Sequence, residues 1–217
     1  MHHSNNSMAN HRKMLSTLRR GIILISITLM FASCKEAPLT ERKQLILIPE
    51  ASEMKLGEDA FRKIIKGSKL SRNGVIVEKV KKVGKSIAKA SNRPNYRWEF
   101  VVIEDDKTAN AFCLPGGKIG IYTGILPYTK DEKGLAAVIG HEVGHAIARH
   151  GSERMSTVLL SQLGQVALNL IVDVDNTMVL EALNQAYGLA TGIAVILPFS
   201  RKQELEADRI GVRVFHG

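Results

Sequence analysis

Residues 141–150, HEVGHAIARH, gather three histidines and one glutamate in ten positions. On an α-helix, positions four apart lie on one face, so His141 and His145 aim two imidazoles at one point. Two neutral imidazoles suit a divalent ion, and zinc is the natural candidate once a carboxylate joins them. Glu142 sits one step round from His141. There it can take a proton from a water that the ion polarises, without itself being a ligand. His150 lies nine positions past His141. At 100° per residue that is half a turn out of phase, so His150 is expected to face away from the ion. It is read as a histidine near the helix C-terminus, where its charge suits the macrodipole, with Gly151 as the stop.

A third ligand has to come from elsewhere, and residues 200–208, SRKQELEAD, supply it. Ser200 and Gln203 fit a capping box that starts a helix just after Pro198. Glu204 and Asp208 are four apart on that helix and share a face. Glu206 is about 200° round from Glu204 and is read as a solvated charge. Glu204 is therefore the ligand. Asp208 is the carboxylate that would hold a histidine through its other ring nitrogen.

These residues need two helices in tight contact. The first is dense in small residues, Ala136, Ala137, Gly140, Gly144, Ala146 and Ala148. Glycine within a helix costs roughly 1 kcal/mol against alanine, so two of them point to a close neighbour. Helices are expected near 51–66, 75–90, 133–150, 152–172, 175–194 and 201–214. Leu56, Ala60 and Ile64, with Phe61 beside them, mark the first; Ile76, Val80, Val83 and Ile87 mark the second. Helix 152–172 could serve as core, lid or membrane-surface element, and core packing is the favoured reading. WEFVVIE (98–104) reads as a strand, and NAFCLPGGKIGIYTGIL as a hairpin turning at residues 115–117. The expected fold class is α+β and helix-rich, with a small antiparallel sheet.

The chain is 45% hydrophobic and 24% charged, enough for one packed domain of 217 residues. Its net charge of +9 includes Arg12, Lys13, Arg19 and Arg20, with no acid before residue 34, which leaves +5 on the rest. A mild, dispersed excess argues against nucleic acid as a partner. The basic stretch precedes an uncharged apolar run of 13 residues, 21–33, and then Cys34. A membrane span needs ~20 such residues, whereas a signal-peptide core does not. Ala32 and Ser33 before Cys34 resemble a lipoprotein signal, in which Cys34 would become the lipidated N-terminus. The rival is an uncleaved signal anchor. Cys113, the other cysteine, is read as a buried structural thiol, so no disulfide is expected.

Taken together, HEVGHAIARH and SRKQELEAD resemble the gluzincin metallopeptidases of family forty-eight, which include CAAX prenyl proteases, HtpX and OMA-type proteases. ERKQLILIPEASEMKLGEDAF and ANAFCLPGGKIGIYTGIL resemble its envelope lipoprotein branch. The resemblance covers about residues 40–214. It implies a gluzincin-like domain with one zinc ion held by His141, His145 and Glu204, with Glu142 as general base and Asp208 in support. It also implies an edge strand onto which a substrate peptide adds, here Asn110 with Lys118, Ile119, Gly120, Ile121 and Tyr122. Family members continue past the third-ligand helix, so the domain is expected to be incomplete beyond Gly217. The expected organisation is a signal peptide at 1–33, a lipidated tether at 34–50 and the metallopeptidase domain at 51–217.

The function this implies is a zinc endopeptidase of the bacterial envelope. It would face the periplasm on a lipid anchor, in the outer membrane rather than the inner. Its partners would be misfolded or misassembled polypeptides, the membrane and the envelope assembly machinery. The alternative is a membrane-tethered chaperone or assembly factor with a latent metal site.

Overall fold

The computed structural model describes residues 34–171 and 200–216. The signal peptide at 1–33 and the helix expected at 175–194 lie outside the described residues. Glu36–Gly217 form one contact unit, and Met1–Lys35 another. Short strands β1 (Cys34–Glu36) and β2 (Lys43–Leu45) come first. They lead into helices α1 (Glu50–Gly67) and α2 (Gly74–Ala90). Strands β3 (Glu99–Ile103), β4 (Ala111–Leu114) and β5 (Lys118–Tyr122) follow. After two short helical turns come α3 (Glu132–Ile147) and α4 (His150–Ile171), and then α5 (Arg201–His216). Among the described residues no helix is long and apolar enough to cross a membrane.

The tether expected at 34–50 is partly interior instead. Ala37, Gln44 and Ile46 are buried. The Leu47 amide donates to Ser156 Oγ at 2.9 Å. Polar contacts to α4 and α5 hold this stretch, which its composition does not announce.

Helix α1 buries Glu53, Gly57 and Phe61, not the expected line of Leu56 and Ala60, which are exposed. Glu53 goes inward because Arg149 meets it there, with Nε donating to Oε2 at 2.6 Å. Helix α2 follows its stripe: Val80, Val83 and Ile87 are buried. Its first amides are capped by the Asn73 side chain, which accepts from Val75 and Ile76.

The sheet is mixed, with order β3-β5-β4, and not purely antiparallel. The hairpin makes β4 antiparallel to β5, its turn using Gly116 and Gly117 at φ +84° and +83°. The chain reaches β4 from β3 before forming β5, so β5 inserts between them and pairs parallel with β3. Strand β5 is therefore central, with Ile119 and Ile121 fully buried. The expected assignment of Lys118, Ile119, Gly120, Ile121 and Tyr122 as an edge is corrected: both of its sides are hydrogen-bonded. Asn110 lies just before β4, and its carbonyl accepts from the Tyr122 amide at 3.1 Å. Residues 69–71 bond along part of the outer side of β3, through Ser71 to Val102 and Glu104 to Lys69. Among the described residues, the unpaired edge is β4, which packs against α3.

Helix α4 was expected to be core. Its serine face turns inward, with Ser152 and Ser156 buried, while Leu159 and Leu163 are exposed. Its first turns are held by polar partners, Glu153 with Arg42 and Ser156 with the Leu47 amide, which sets that phase.

Candidate active site

Helices α3 and α5 cross at small residues. A Cβ placed on Gly144 would lie 2.5 Å from the Ala207 carbonyl oxygen, and one on Gly211 would lie 2.9 Å from the Gly140 carbonyl carbon. Nothing larger fits at 144 or 211, whereas a Cβ on Gly140 would make only a tight contact, 3.3 Å from the Gly211 carbonyl oxygen. The Asp131 side chain caps α3 by accepting from the Gly134 amide at 2.9 Å. Ser200 and Gln203 form the expected box at the start of α5: the Ser200 amide donates to Gln203 Oε1 at 3.0 Å, and the Gln203 amide to Ser200 Oγ at 3.3 Å. Two capped helices in backbone contact thus fix the relative positions of residues 141–145 and 204–208.

The crossing brings the three predicted ligands together, their ligand atoms all within 4.8 Å of one another. His141 Nε2 and His145 Nε2 are 3.1 Å apart. Glu204 Oε2 lies 3.4 Å from His141 Nε2, and Oε1 lies 3.7 Å from His145 Nε2. Zinc–nitrogen and zinc–oxygen bonds of about 2.0–2.2 Å in a tetrahedron set ligand atoms about 3.3–3.6 Å apart. The spacing and the donor set therefore fit a zinc ion with one position left open.

Glu142 is half-buried and close enough to feel the charges of His141 and Glu204: burial pushes its carboxyl up to about 7, with His141 opposing and Glu204 adding to the rise. Burial pushes His145 down to about 3, helped by His150 and His141, so its imidazole is neutral, the form that binds a metal. Asp208 is where it was expected, with Oδ1 2.7 Å from His141 Nδ1. A recess of about 370 Å³ opens beside His141, lined also by Ala137, Asp208, Gly211, Val212 and Phe215.

Two expectations fail here. Helix α3 ends at Ile147, and Arg149 adopts φ +59°, so the chain turns before His150, which opens α4 rather than closing α3. Gly151 is not the stop. Glu53 and the Ile48 carbonyl, 2.9 Å from Arg149 Nη2, hold Arg149 in that conformation. The turn carries His150 back onto the ligands: it is fully buried, with its Nδ1 2.9 Å from His145 Nδ1. Glu206 is not a solvated charge. It is buried, with Oε2 3.0 Å from His150 Nε2. Burial raises its carboxyl, but hydrogen bonds from Thr40, His150 and Arg42 outweigh that and leave it lowered. Arg42 Nε donates to Glu206 Oε2 at 2.5 Å, and Thr40 Oγ1 donates to Oε1. Both Arg42 Nη atoms donate to Glu153, at 2.8 and 2.7 Å. Helix phase correctly separated Glu206 from Glu204. No local signal marked the turn at Arg149 or the partner at Arg42.

Cys113 is half-buried, and burial pushes its thiol up, in keeping with a structural cysteine.

Residues 77–216 match the model of peptidase family M48. The chain belongs to peptidase family M48. It is similar to the mitochondrial metalloendopeptidase OMA1 of Schizosaccharomyces pombe, at 34% identity over 185 residues, 84% of this chain and 52% of that protein. It is 41% identical to the OMA1 of Arabidopsis thaliana over 134 residues, 61% of this chain and 25% of that one. It is also similar to the β-barrel assembly-enhancing protease of Escherichia coli K12, at 25% identity over 166 residues, 75% of this chain and 34% of that one. The chain thus spans about half or less of the length of these relatives. The family match runs across α3 and α5, the two helices that carry the ligand set.

Proposed function

We propose that this chain is a zinc-dependent endopeptidase of the bacterial cell envelope, whose substrates are misfolded or misassembled polypeptides. The observation that carries the reading is the convergence of the His141, His145 and Glu204 ligand atoms within 4.8 Å of one another, with the half-buried Glu142 on the same helix as the two histidines. The family and the relatives' printed names support peptide-bond hydrolysis. The likeness to a β-barrel assembly-enhancing protease supports the envelope, as do the basic run, the apolar stretch 21–33 and Cys34, read as a lipid anchor facing the periplasm.

Bound zinc would supply Lewis acidity, polarising the scissile carbonyl and the attacking water. Glu142 accepts the proton that the water loses as its oxygen joins the carbonyl carbon. It returns that proton to the nitrogen as the C–N bond breaks. The free edge of β4 would pair with an extended substrate backbone, and the recess beside His141 would take an apolar side chain.

Zinc content and casein cleavage test this in wild type and Glu142→Gln. The variant is expected to keep zinc and lose about 10²–10⁴-fold in rate, the usual weight of a general base. A wild type without zinc, or a variant that cleaves equally, defeats the proposal. If Glu142→Gln supports envelope assembly as well as wild type does, the protein is a tethered assembly factor instead. Labelling with a palmitate analogue tests the anchor: the label should appear and be lost in Cys34→Ala.

A further inference from the structure

Hydrolysis as proposed uses Glu142 and the three ligands. It leaves unexplained why a histidine, a glutamate and an arginine lie interlocked behind one of those ligands. We propose that His150, Glu206 and Arg42 are positioning residues, a hydrogen-bonded relay that fixes the ring plane and tautomer of the ligand His145. The inference rests on the metal-site reading above and extends it to groups that touch no metal.

The proton positions follow from the partners. His145 Nε2 faces His141 Nε2 and Glu204, so as a ligand atom it carries no proton, and the ring proton sits on Nδ1. His150 Nδ1 is the acceptor, at 2.9 Å. His150 then carries its own proton on Nε2 and donates it to Glu206 Oε2 at 3.0 Å. Glu206 ends the relay as an acceptor held by the guanidinium of Arg42 and the hydroxyl of Thr40. Reversing the relay would put a proton on His145 Nε2, among the ligand atoms, and would ask a carboxylate paired with an arginine to donate. Of the two directions, the one from His145 to Glu206 gives each of these hydrogen bonds a donor and an acceptor.

The outer end of the relay is anchored on two helices. Arg42 grips Glu153 on α4 with both Nη atoms, and Gln203 Nε2, in the capping turn of α5, donates to Glu153 Oε2 at 2.7 Å. Residues 40–44, which the sequence offers as tether, therefore bear on a metal ligand through two intervening side chains. Ligating histidines are commonly oriented by a partner at the second ring nitrogen, and losing that partner weakens metal binding about 10–100-fold.

A merely structural network would affect folding but not the metal. The test is zinc affinity by chelator competition, together with the Co²⁺ absorption spectrum, on the full chain. His150→Phe keeps the ring's bulk without its nitrogens. It is expected to weaken zinc binding by about 10–100-fold and to shift the cobalt bands. His150→Gln, whose amide can accept from His145 and donate to Glu206, is expected to recover most of the loss. Arg42→Met, one link further out, should weaken binding by a smaller factor. A folded His150→Phe that binds zinc as wild type does, with unshifted bands, overturns the relay. If His150→Phe does not fold, Arg42→Met decides: reduced affinity supports the relay, and wild-type affinity overturns it. A wild type that takes up no zinc overturns the metal reading itself, and the relay with it.

Discussion

His141 and His145 leave the same helix one turn apart, yet their surroundings differ in kind. His141 is partly open, and its Nδ1 meets Asp208, a side chain 63% exposed. His145 is 8% exposed, and its Nδ1 meets His150, which is 0% exposed and backed by Glu206 at 4%. One imidazole is met by an exposed carboxylate that water could replace, the other by buried groups that water does not reach. If the proposed hydrolysis holds, substrate would enter on the open side, and the partner there would have to tolerate solvent. The closed side has no such duty and can be rigid.

The largest expected effect separates the two in the metal-free protein. His145→Ala removes the hydrogen-bond partner of a buried imidazole and leaves a cavity behind α3. A cost of about 1–3 kcal/mol is expected from the polar loss alone. His141→Ala removes a partly exposed ring whose partner is open to water, so its cost should be clearly smaller. Urea unfolding of both chelator-treated variants reads the difference. Equal costs would mean that the closed side is no better held than the open one.

The contrast also sets how far the site could be read from sequence. His141, Glu142, His145, Glu204 and Asp208 were legible because each answers to helix phase, which is local. The capping box at Ser200 and Gln203 and the stripe of α2 were legible for the same reason. His150 was not, because its position depends on Arg149 at φ +59°, a conformation stabilised by Glu53, 96 positions earlier in the chain. Glu206 was misread because Arg42, 164 positions away, turns an acidic side chain inward. The central place of β5 left no local trace, since Ile119 and Ile121 alternate with Lys118 and Gly120 as in a strand with one face exposed. In the structure Lys118 to Ile121 are all buried, with Lys118 held by Glu58 and Glu99, partners far away in the chain. Local phase found the residues that converge, and long-range ion pairs built the buried surroundings of His145.

A smaller effect appears in the pH dependence of the metal-free protein. Glu142 has a folded value of about 7 against an ordinary 4.5. Between these values the folded state holds more protons than the unfolded one. Its contribution is therefore full below pH 4.5 and is lost as pH rises through about 7. His145 runs the other way, at about 3 against 6.5. Its neutral form favours folding above pH 6.5, and that contribution is lost as pH falls toward 3. Unfolding free energies measured from pH 4 to 8 should therefore fall less steeply on the alkaline side in Glu142→Gln than in wild type. An unchanged alkaline limb would remove Glu142 from the set of buried carboxyls.

The smallest effect belongs to Asp208. Asp208→Asn keeps an oxygen that can accept from His141 Nδ1, now 2.7 Å from the carboxylate, and loses only the charge. Because that charge faces solvent, salt and water already screen it. Zinc affinity should fall by about tenfold or less, at or below the bottom of the range for outer partners of ligating histidines. Chelator competition at low and high salt measures it, and the loss should shrink as salt rises. The ordering against His150→Phe is the sharper measurement. If Asp208→Asn costs as much as His150→Phe, exposure does not grade the two supports, and both histidines are held equally whatever surrounds them. If it costs several-fold less, the site is stiff behind and yielding in front, as an entrance for a peptide requires.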